Sequence, residues 1–376
     1  MDFSLDEKYL KVQHAARQLC DSIAHVADEA DESSVLHPEI HAALKASELC
    51  RMMVPAEFGG SFDKIDPLAI CLTREVMMTT SCHLDSLFAL QGIGSYGITV
   101  AGTMEQRERW LPDVASAAAL AGLALTEEDA GSDLKSVSTE VVASAEGLRL
   151  NGSKAFISNA GSAAFYEVFA REGDGFSMIL VPADAEGLSF TPAPELIAPH
   201  VLGDLRFDNV LLPESARLGE AGKGLDLVLA TLAVFRVSVA GAAIGLAQTA
   251  LEEAVRHTRS RVQFGRPLAR LGPVAQLLAD SWTEIEMARL LTYRAASMAK
   301  DDPAATLQHS SMAKLAASET ASRVVDRCVQ VMGRFGLVRG SKIEKLYRQA
   351  RPMRIYEGSS EVLRLGIARE LTDIVV

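Results

Sequence analysis

Cysteine is scarce and scattered: 376 residues carry five, Cys20, Cys50, Cys71, Cys82 and Cys328. No CxxC pair or metal-ligand spacing joins them, which excludes a disulfide framework or a zinc module and leaves no metal site to expect. Basic tracts are missing as well. The 37 Lys and Arg are dispersed among 49 acidic residues, for a net charge of -12, and without a basic face nucleic acid is not a partner. The opening "MDFSLDEKYLKVQ" lacks the charged-then-apolar layout of a signal peptide, so a cytoplasmic protein is expected. One run, Leu227 to Leu251, is apolar and long enough to span a bilayer. It has Arg236 near its middle, no interfacial aromatics and an amphipathic continuation, so it reads as a helix buried in a bundle, with no membrane partner.

What the chain does have is 48% hydrophobic residues, ample for two or three packed units. Their spacing changes twice. Residues 1–118 show helical periodicity in "YLKVQHAARQLCDSIAHVADEA", "HPEIHAALKASEL", "DPLAICLTREVMMTT" and "MEQRERWLPDVASA". Residues 119–222 break into short runs with turn residues, as in "SAEGLRLNGSKAFIS", and predict a mainly antiparallel β domain. Residues 223–376 are helical again, with long helices over 225–258, 273–299, 304–335 and 360–373, the makings of a four-helix bundle. The fold class is therefore α+β, mainly helical, in three domains.

Four stretches invite a chemical reading, each beside a plain structural one. "LALTEEDAGSD", Leu123 to Asp133, ends a strand in small and hydroxylated residues that let backbone approach an anion or a ring; it is equally a polar turn. "NGSKAFISNAG", Asn151 to Gly161, starts with an Asn-Gly hairpin turn and then sets Phe156 and Ser158 on one strand face, which suits a flat ring with a polar edge or an ordinary strand. "RVQFGRPL", Arg261 to Leu268, is a helix stop or a phosphate site through Arg261. "RIYEGSSEV", Arg354 to Val362, leads into the last helix, with Ser359 or Ser360 as its cap and Glu361 favouring its positive end.

In order, "VPAEFGG", "LTEEDAGSD", "NGSKAFISNAG", "RVQFGRPL", "AKLAASETA", "QVMGRFG" and "IYEGSSEV" resemble the acyl-CoA dehydrogenase family of flavoproteins across essentially the whole chain. The resemblance implies FAD lying between the β domain and the bundle, in a homotetramer built as a dimer of dimers. Leu123, Leu125 and Thr126 would line the flavin ring, Phe156 and Ser158 its other side, and Ser132 the pyrophosphate or the substrate's pantetheine. Arg261 and the loop containing Gln330, Gly333 and Gly336 would serve the FAD of a neighbouring subunit, and Ser359 and Glu361 would close over the cofactor. Glu357 would be the base that removes the α-proton of an acyl thioester while flavin N5 takes the β-hydride, its pKa raised by a dry pocket. Gly358 would let the backbone approach the thioester, and Arg236 would lie on the substrate side or form a buried structural ion pair.

The chain departs from the family at Glu128, Arg334, Leu271-Gly272 and Gln349, and Gln276 is placed to replace a lost adenosine contact. These changes suit a divergent branch. Substrates implied are an acyl-CoA or, alternatively, an acyl group on a carrier protein, with an electron-transfer flavoprotein as acceptor. A flavin oxidase or monooxygenase on the same fold is the second alternative, and a DNA-associated branch is disfavoured by the acidic composition. "SCHLDSLFALQGIGSYG", Ser81 to Gly97, is expected to border the acyl-tail pocket.

Overall fold

Helices account for the first region of the computed structural model, which describes residues 4–375, so Met1 to Phe3 of the acidic opening lie outside the described residues. They are α1 (Glu7–Ile23), α2 (Ala27–Asp31), α3 (Pro38–Ser47), α4 (Pro67–Met77), α5 (Cys82–Ile93), α6 (Tyr96–Ala101) and α7 (Met104–Ala115). Local chemistry sets their ends. Pro38 sits in the first turn of α3, where the His37 ring accepts from the Ile40 N–H. At α7, Thr103 and Gln106 form a reciprocal capping box. Helix α5 was not anticipated as a helix. It is buried on almost every side, so no polar face marks its period.

Eight strands follow: β1 (Ala121–Ala124), β2 (Glu140–Ser144), β3 (Gly147–Ser158), β4 (Phe165–Glu172), β5 (Gly175–Pro182), β6 (Leu188–Pro192), β7 (Leu202–Leu212) and β8 (Arg217–Leu218). Their order is β6-β7-β3-β2-β4-β5-β8, with β1 beside β4. Pairing is mostly antiparallel, as expected, but β1 and β2 each meet β4 in parallel, so the sheet is mixed. Leu148, Leu150, Val168, Ile179, Val181 and Val210 form the centre of its core.

The Asn151-Gly152 pair is not the hairpin turn that its sequence predicts. The hairpin closes earlier, through Ala145 and Glu146, with Ser144 opposite Gly147. Asn151 and Gly152 lie inside β3 at a bulge against β7. Gly152 has φ of 137°, and a Cβ there would fall 2.6 Å from Thr139 Cα; the glycine answers a close crossing within the sheet. The Asn151 side chain accepts the N–H of Asn209 at 2.8 Å, bridging the bulge.

The last region holds α8 (Gly224–Ser260), a small hairpin of β9 (Val262–Gln263) and β10 (Arg266–Pro267), then α9 (Gly272–Asp301), α10 (Leu307–Met332), α11 (Lys342–Ala350) and α12 (Ser360–Val375). The four long helices fall where they were expected, and α11 is additional. "RVQFGRPL" is thus a hairpin, turned by Phe264 and Gly265 at positive φ, not a simple helix stop.

By packing, the chain forms two units. One comprises Gln18–Asp66 and His83–Leu232; the other comprises residues up to Arg17, Pro67–Cys82, and Ala233 onward. The apolar α8, which belongs to the second unit from Ala233 onward, is a core helix: 78% of its most apolar window is buried inside the protein. Its composition follows from packing on α4. A Cβ at Gly241 would lie 2.5 Å from the Cys71 carbonyl oxygen, and one at Gly245 2.0 Å from that of Glu75. Glycines one turn apart let two helix backbones touch.

Candidate active site

In the sheet unit the residues expected beside a ring cofactor come together around the end of β1. Two carbonyls of that turn are held inward: Leu125 C=O accepts from Lys154 Nζ at 2.9 Å and Thr126 C=O from Ala155 N–H at 2.8 Å. Lys154 is 1% exposed and also pairs with Glu127 at 2.9 Å. Glu127 accepts further bonds from Ser138 N–H, Ser138 Oγ and Thr139 N–H. Burial alone would raise the Glu127 pKa, but these bonds outweigh it and hold the carboxyl at about 2. Burial lowers Lys154 to about 8, against the pull of Glu127, so the pair is ionised at neutral pH.

Glu127 therefore faces the core while the next two acids, Glu128 and Asp129, are exposed, and Leu123, Leu125 and Thr126 stay partly accessible. Phe156 lies at a second bulge of β3, with φ of 56° and 52% exposure. A bulky residue in the left-handed region is strained, and here the N–H of Phe156 is fixed by Asp204 at 3.0 Å. Ser158, two residues on, is half-buried, and its Oγ lies 3.0 Å from His200 Nε2. Apolar side chains, one exposed aromatic face and hydroxyls, with the Glu127 carboxylate turned away, fit an isoalloxazine-type ring. Ser132 sits on the exposed loop after β1.

In the helical unit Glu357 occupies a turn before α12, with φ of 52°, followed by Gly358 at 102°. Two cations, the half-buried Arg236 and the buried Lys314, hold this turn by its carbonyls. Arg236 Nε donates to the Glu357 carbonyl at 2.8 Å and its Nη1 to Ser311 Oγ at 3.1 Å; Lys314 Nζ donates to the Gly358 carbonyl at 2.7 Å. A Cβ at Gly358 would come within 3.0 Å of Arg236 Nη2. Burial lowers the Arg236 pKa, opposed by the charge of Glu357. Lys314 is likewise lowered to about 8 by burial, with Glu357 the leading opposing charge. The Glu357 Oε2 is shielded from solvent. The result is a carboxylate on a rigid, strained backbone beside two cations, an arrangement able to exchange a proton in fixed geometry.

The neighbouring residues divide. Ser359 is the helix cap, accepting Val362 N–H at 3.4 Å. Glu361 lies exposed on the first turn, with Arg364 at 4.0 Å. Arg261 and the Gln330 to Gly336 loop are brought together: the Arg261 guanidinium stands 5.7 Å from the centre of the Phe335 ring. Gln330 and Gly333 are exposed there, and Gly336 is buried against Val329. Sequence reasoning missed Lys154, Lys314 and His200 as members of these clusters. Lys154 left a signal as a lysine at an inward position of an alternating strand, and Lys314 only as a member of the motif "AKLAASETA".

The chain matches three family domains in order: acyl-CoA dehydrogenase N-terminal domain over residues 6–118, middle domain over 122–210 and C-terminal domain over 222–372. It is 36% identical over 331 residues to the human short-chain specific acyl-CoA dehydrogenase, mitochondrial, covering 86% of this chain and 80% of that protein. Among solved structures it is similar to butyryl-CoA dehydrogenase from Megasphaera elsdenii, with a TM-score of 0.93 at 29% identity over 99% of this chain and all of that one. It is also similar to a chain from work on the electron transferring flavoprotein of Acidaminococcus fermentans, with a TM-score of 0.94 at 29% identity over 99% of each chain. The relatives it matches over most of its length are oxidoreductases of one class. The chain belongs to the acyl-CoA dehydrogenase family.

Proposed function

We propose that this protein is an FAD-dependent dehydrogenase of acyl thioesters, in which Glu357 removes the α-proton. The observation that carries this reading is the turn at Glu357, whose carbonyl and that of Gly358 are held by Arg236 and Lys314. A base that must reach one carbon needs its backbone fixed, since misplacement costs rate steeply. FAD, when bound, supplies the acceptor for the β-hydride. Leu123, Leu125, Thr126, Phe156 and Ser158 are its proposed contacts in the sheet unit, with Ser132 serving pyrophosphate or pantetheine. In the helical unit Ser359 and Glu361 are proposed to lie over it, and Arg261 with Gln330, Gly333 and Gly336 to reach the cofactor of another subunit.

As the α-proton leaves, negative charge grows on the thioester oxygen, and the Glu357 N–H is the proposed donor to it. Gly358 keeps the approach open. Arg236 acts from behind Glu357 through its carbonyl, which favours a positioning role over direct substrate contact.

Likeness to the Acidaminococcus structure supports an electron-transfer flavoprotein as acceptor. The proposed domains are 1–118, 119–222 and 223–376, the division expected from sequence. A homotetramer is supported by Trp282, Met287 and Leu290 of α9, each more than half exposed. A cytoplasmic setting accords with the cysteines, all free thiols.

The test is Glu357→Gln. This variant should bind FAD normally, while reduction of the flavin by a panel of acyl-CoA and acyl-carrier-protein thioesters falls by about 10²–10⁴-fold, the share of a positioned base. Undiminished bleaching would place the base elsewhere.

A further inference from the structure

Ser158 is tied to a histidine that comes from another part of the chain. His200 precedes β7, and its Nε2 lies 3.0 Å from Ser158 Oγ. Ser86 of α5 also meets this ring, its Oγ 3.2 Å from Nδ1 and 3.2 Å from Nε2. Ser86 and Cys82, one turn apart, are the partly accessible residues of an otherwise buried helix. Burial pushes His200 down to about 4. Burial, with His200 and His37 adding to it, does the same to the adjacent His83. Both rings are neutral at working pH, so His200 carries one proton on one nitrogen.

Counting protons leaves two tautomers, which give Ser158 opposite roles. Nε2 is the nitrogen bound to Ser158, and Ser86 can bond either nitrogen. If Ser86 donates to Nδ1, the ring proton sits on Nε2 and is donated to Ser158 Oγ. The hydroxyl hydrogen of Ser158 is then released from internal use and can be aimed outward. In the opposite tautomer that hydrogen would be consumed by His200.

We propose that His200 is a positioning residue, fixing Ser158 as an outward hydrogen-bond donor to the flavin through the sequence Ser86 O–H to Nδ1, Nε2–H to Ser158. This rests on the placement of Ser158 at FAD proposed above. A hydroxyl held this way cannot rotate out of line, so its bond to a cofactor atom that gains electron density keeps its full worth.

The test uses the full chain loaded with FAD, titrated with dithionite to read the reduction potential, so no substrate is needed. His200→Leu and Ser158→Ala should both lower the potential, each by about a tenfold change in the oxidised-to-reduced equilibrium, the worth of one hydrogen bond. The double variant should match Ser158→Ala alone. His200→Gln, whose amide N–H can reach Ser158, should return to within about twofold of the parent on the same scale. If Ser158→Ala shifts the potential and His200→Leu does not, or if the two effects add, the role of His200 is overturned while Ser158 keeps its place. If Ser158→Ala shifts nothing, the Ser158 placement fails and takes this proposal with it. Independently of the variants, ¹⁵N-histidine NMR of the unmutated protein should show His200 protonated on Nε2; protonation on Nδ1 would overturn the directional chain.

Discussion

Replacing Lys154 by Met removes one cation from a closed pocket and leaves its partner behind. The lysine is 1% exposed and Glu127 6%, so the orphaned carboxylate cannot turn to solvent. Breaking one half of a buried pair costs about 3–5 kcal/mol. Three bonds to Glu127, from Ser138 and Thr139, survive and hold the penalty near the lower end. Loss of the donor to Leu125 C=O adds about 1 kcal/mol. Together these lower the melting temperature of the sheet unit by roughly 10 °C. The Leu125 carbonyl is also part of the turn proposed to line FAD, so release of FAD fluorescence should precede unfolding in a thermal scan. Adding Glu127→Gln should recover most of the loss, because a neutral amide needs no counter-charge. Acid supplies the sign check. In the parent the Glu127 pKa lies at about 2, below its unfolded value of 4.5, so its contribution is present above 4.5 and fades as pH falls towards 2. In Lys154→Met the carboxyl loses its charged partner and its pKa rises, so the deficit should shrink as the pH falls through that raised value. A variant melting within about 2 °C of the parent, or a double variant no better than the single one, would refute the reasoning.

Gly152→Ala should cost roughly 3 kcal/mol, measured as a shift of the urea midpoint, because a side chain there meets both the wrong φ and the Thr139 backbone; a mere turn glycine would tolerate the change. Lys314→Met tests the second buried cation by pH. The folded pKa of Lys314 is about 8 against 10.5, so between those values the unfolded chain binds more protons, and parent stability should rise with pH relative to Lys314→Met; parallel stability curves across that window would contradict it.

What could be read in advance depended on the range of the interaction. The long C-terminal helices were legible because each carries its period through many turns, and α8 announced itself by composition even though its glycines are explained only by α4. Asn151-Gly152 misled because the dipeptide has the right chemistry for a turn, and only pairing with β7 and the proximity of Thr139 converts it to a bulge. Glu357 was legible through its motif. Its setting was not: the Arg236 contact spans 121 residues and the Lys314 contact 44. Ser158 likewise was marked by its strand, whereas its partner His200 lies 42 residues on, in a loop with no pattern of its own.

The two carboxylates of "EGSSEV" stand in two different settings. Glu361 has what a helix asks of an acid: a place in the first turn, exposure of 75%, and freedom to be screened. Glu357 has none of these. It stands in the left-handed region, which costs a residue with a Cβ about 1–2 kcal/mol, at a position where glycine would relieve the strain. Offsetting that cost takes charge-assisted bonds from Arg236 and Lys314, and burying those two cations is itself unfavourable. A fold needing only an entrance to its last helix would have no use for such a structure, since Ser359 already caps it. Strain kept in place by buried charge is what is expected where the direction of one side chain matters more than stability. The geometry of the turn thus separates Glu357 from Glu361 on physical grounds, independently of any motif.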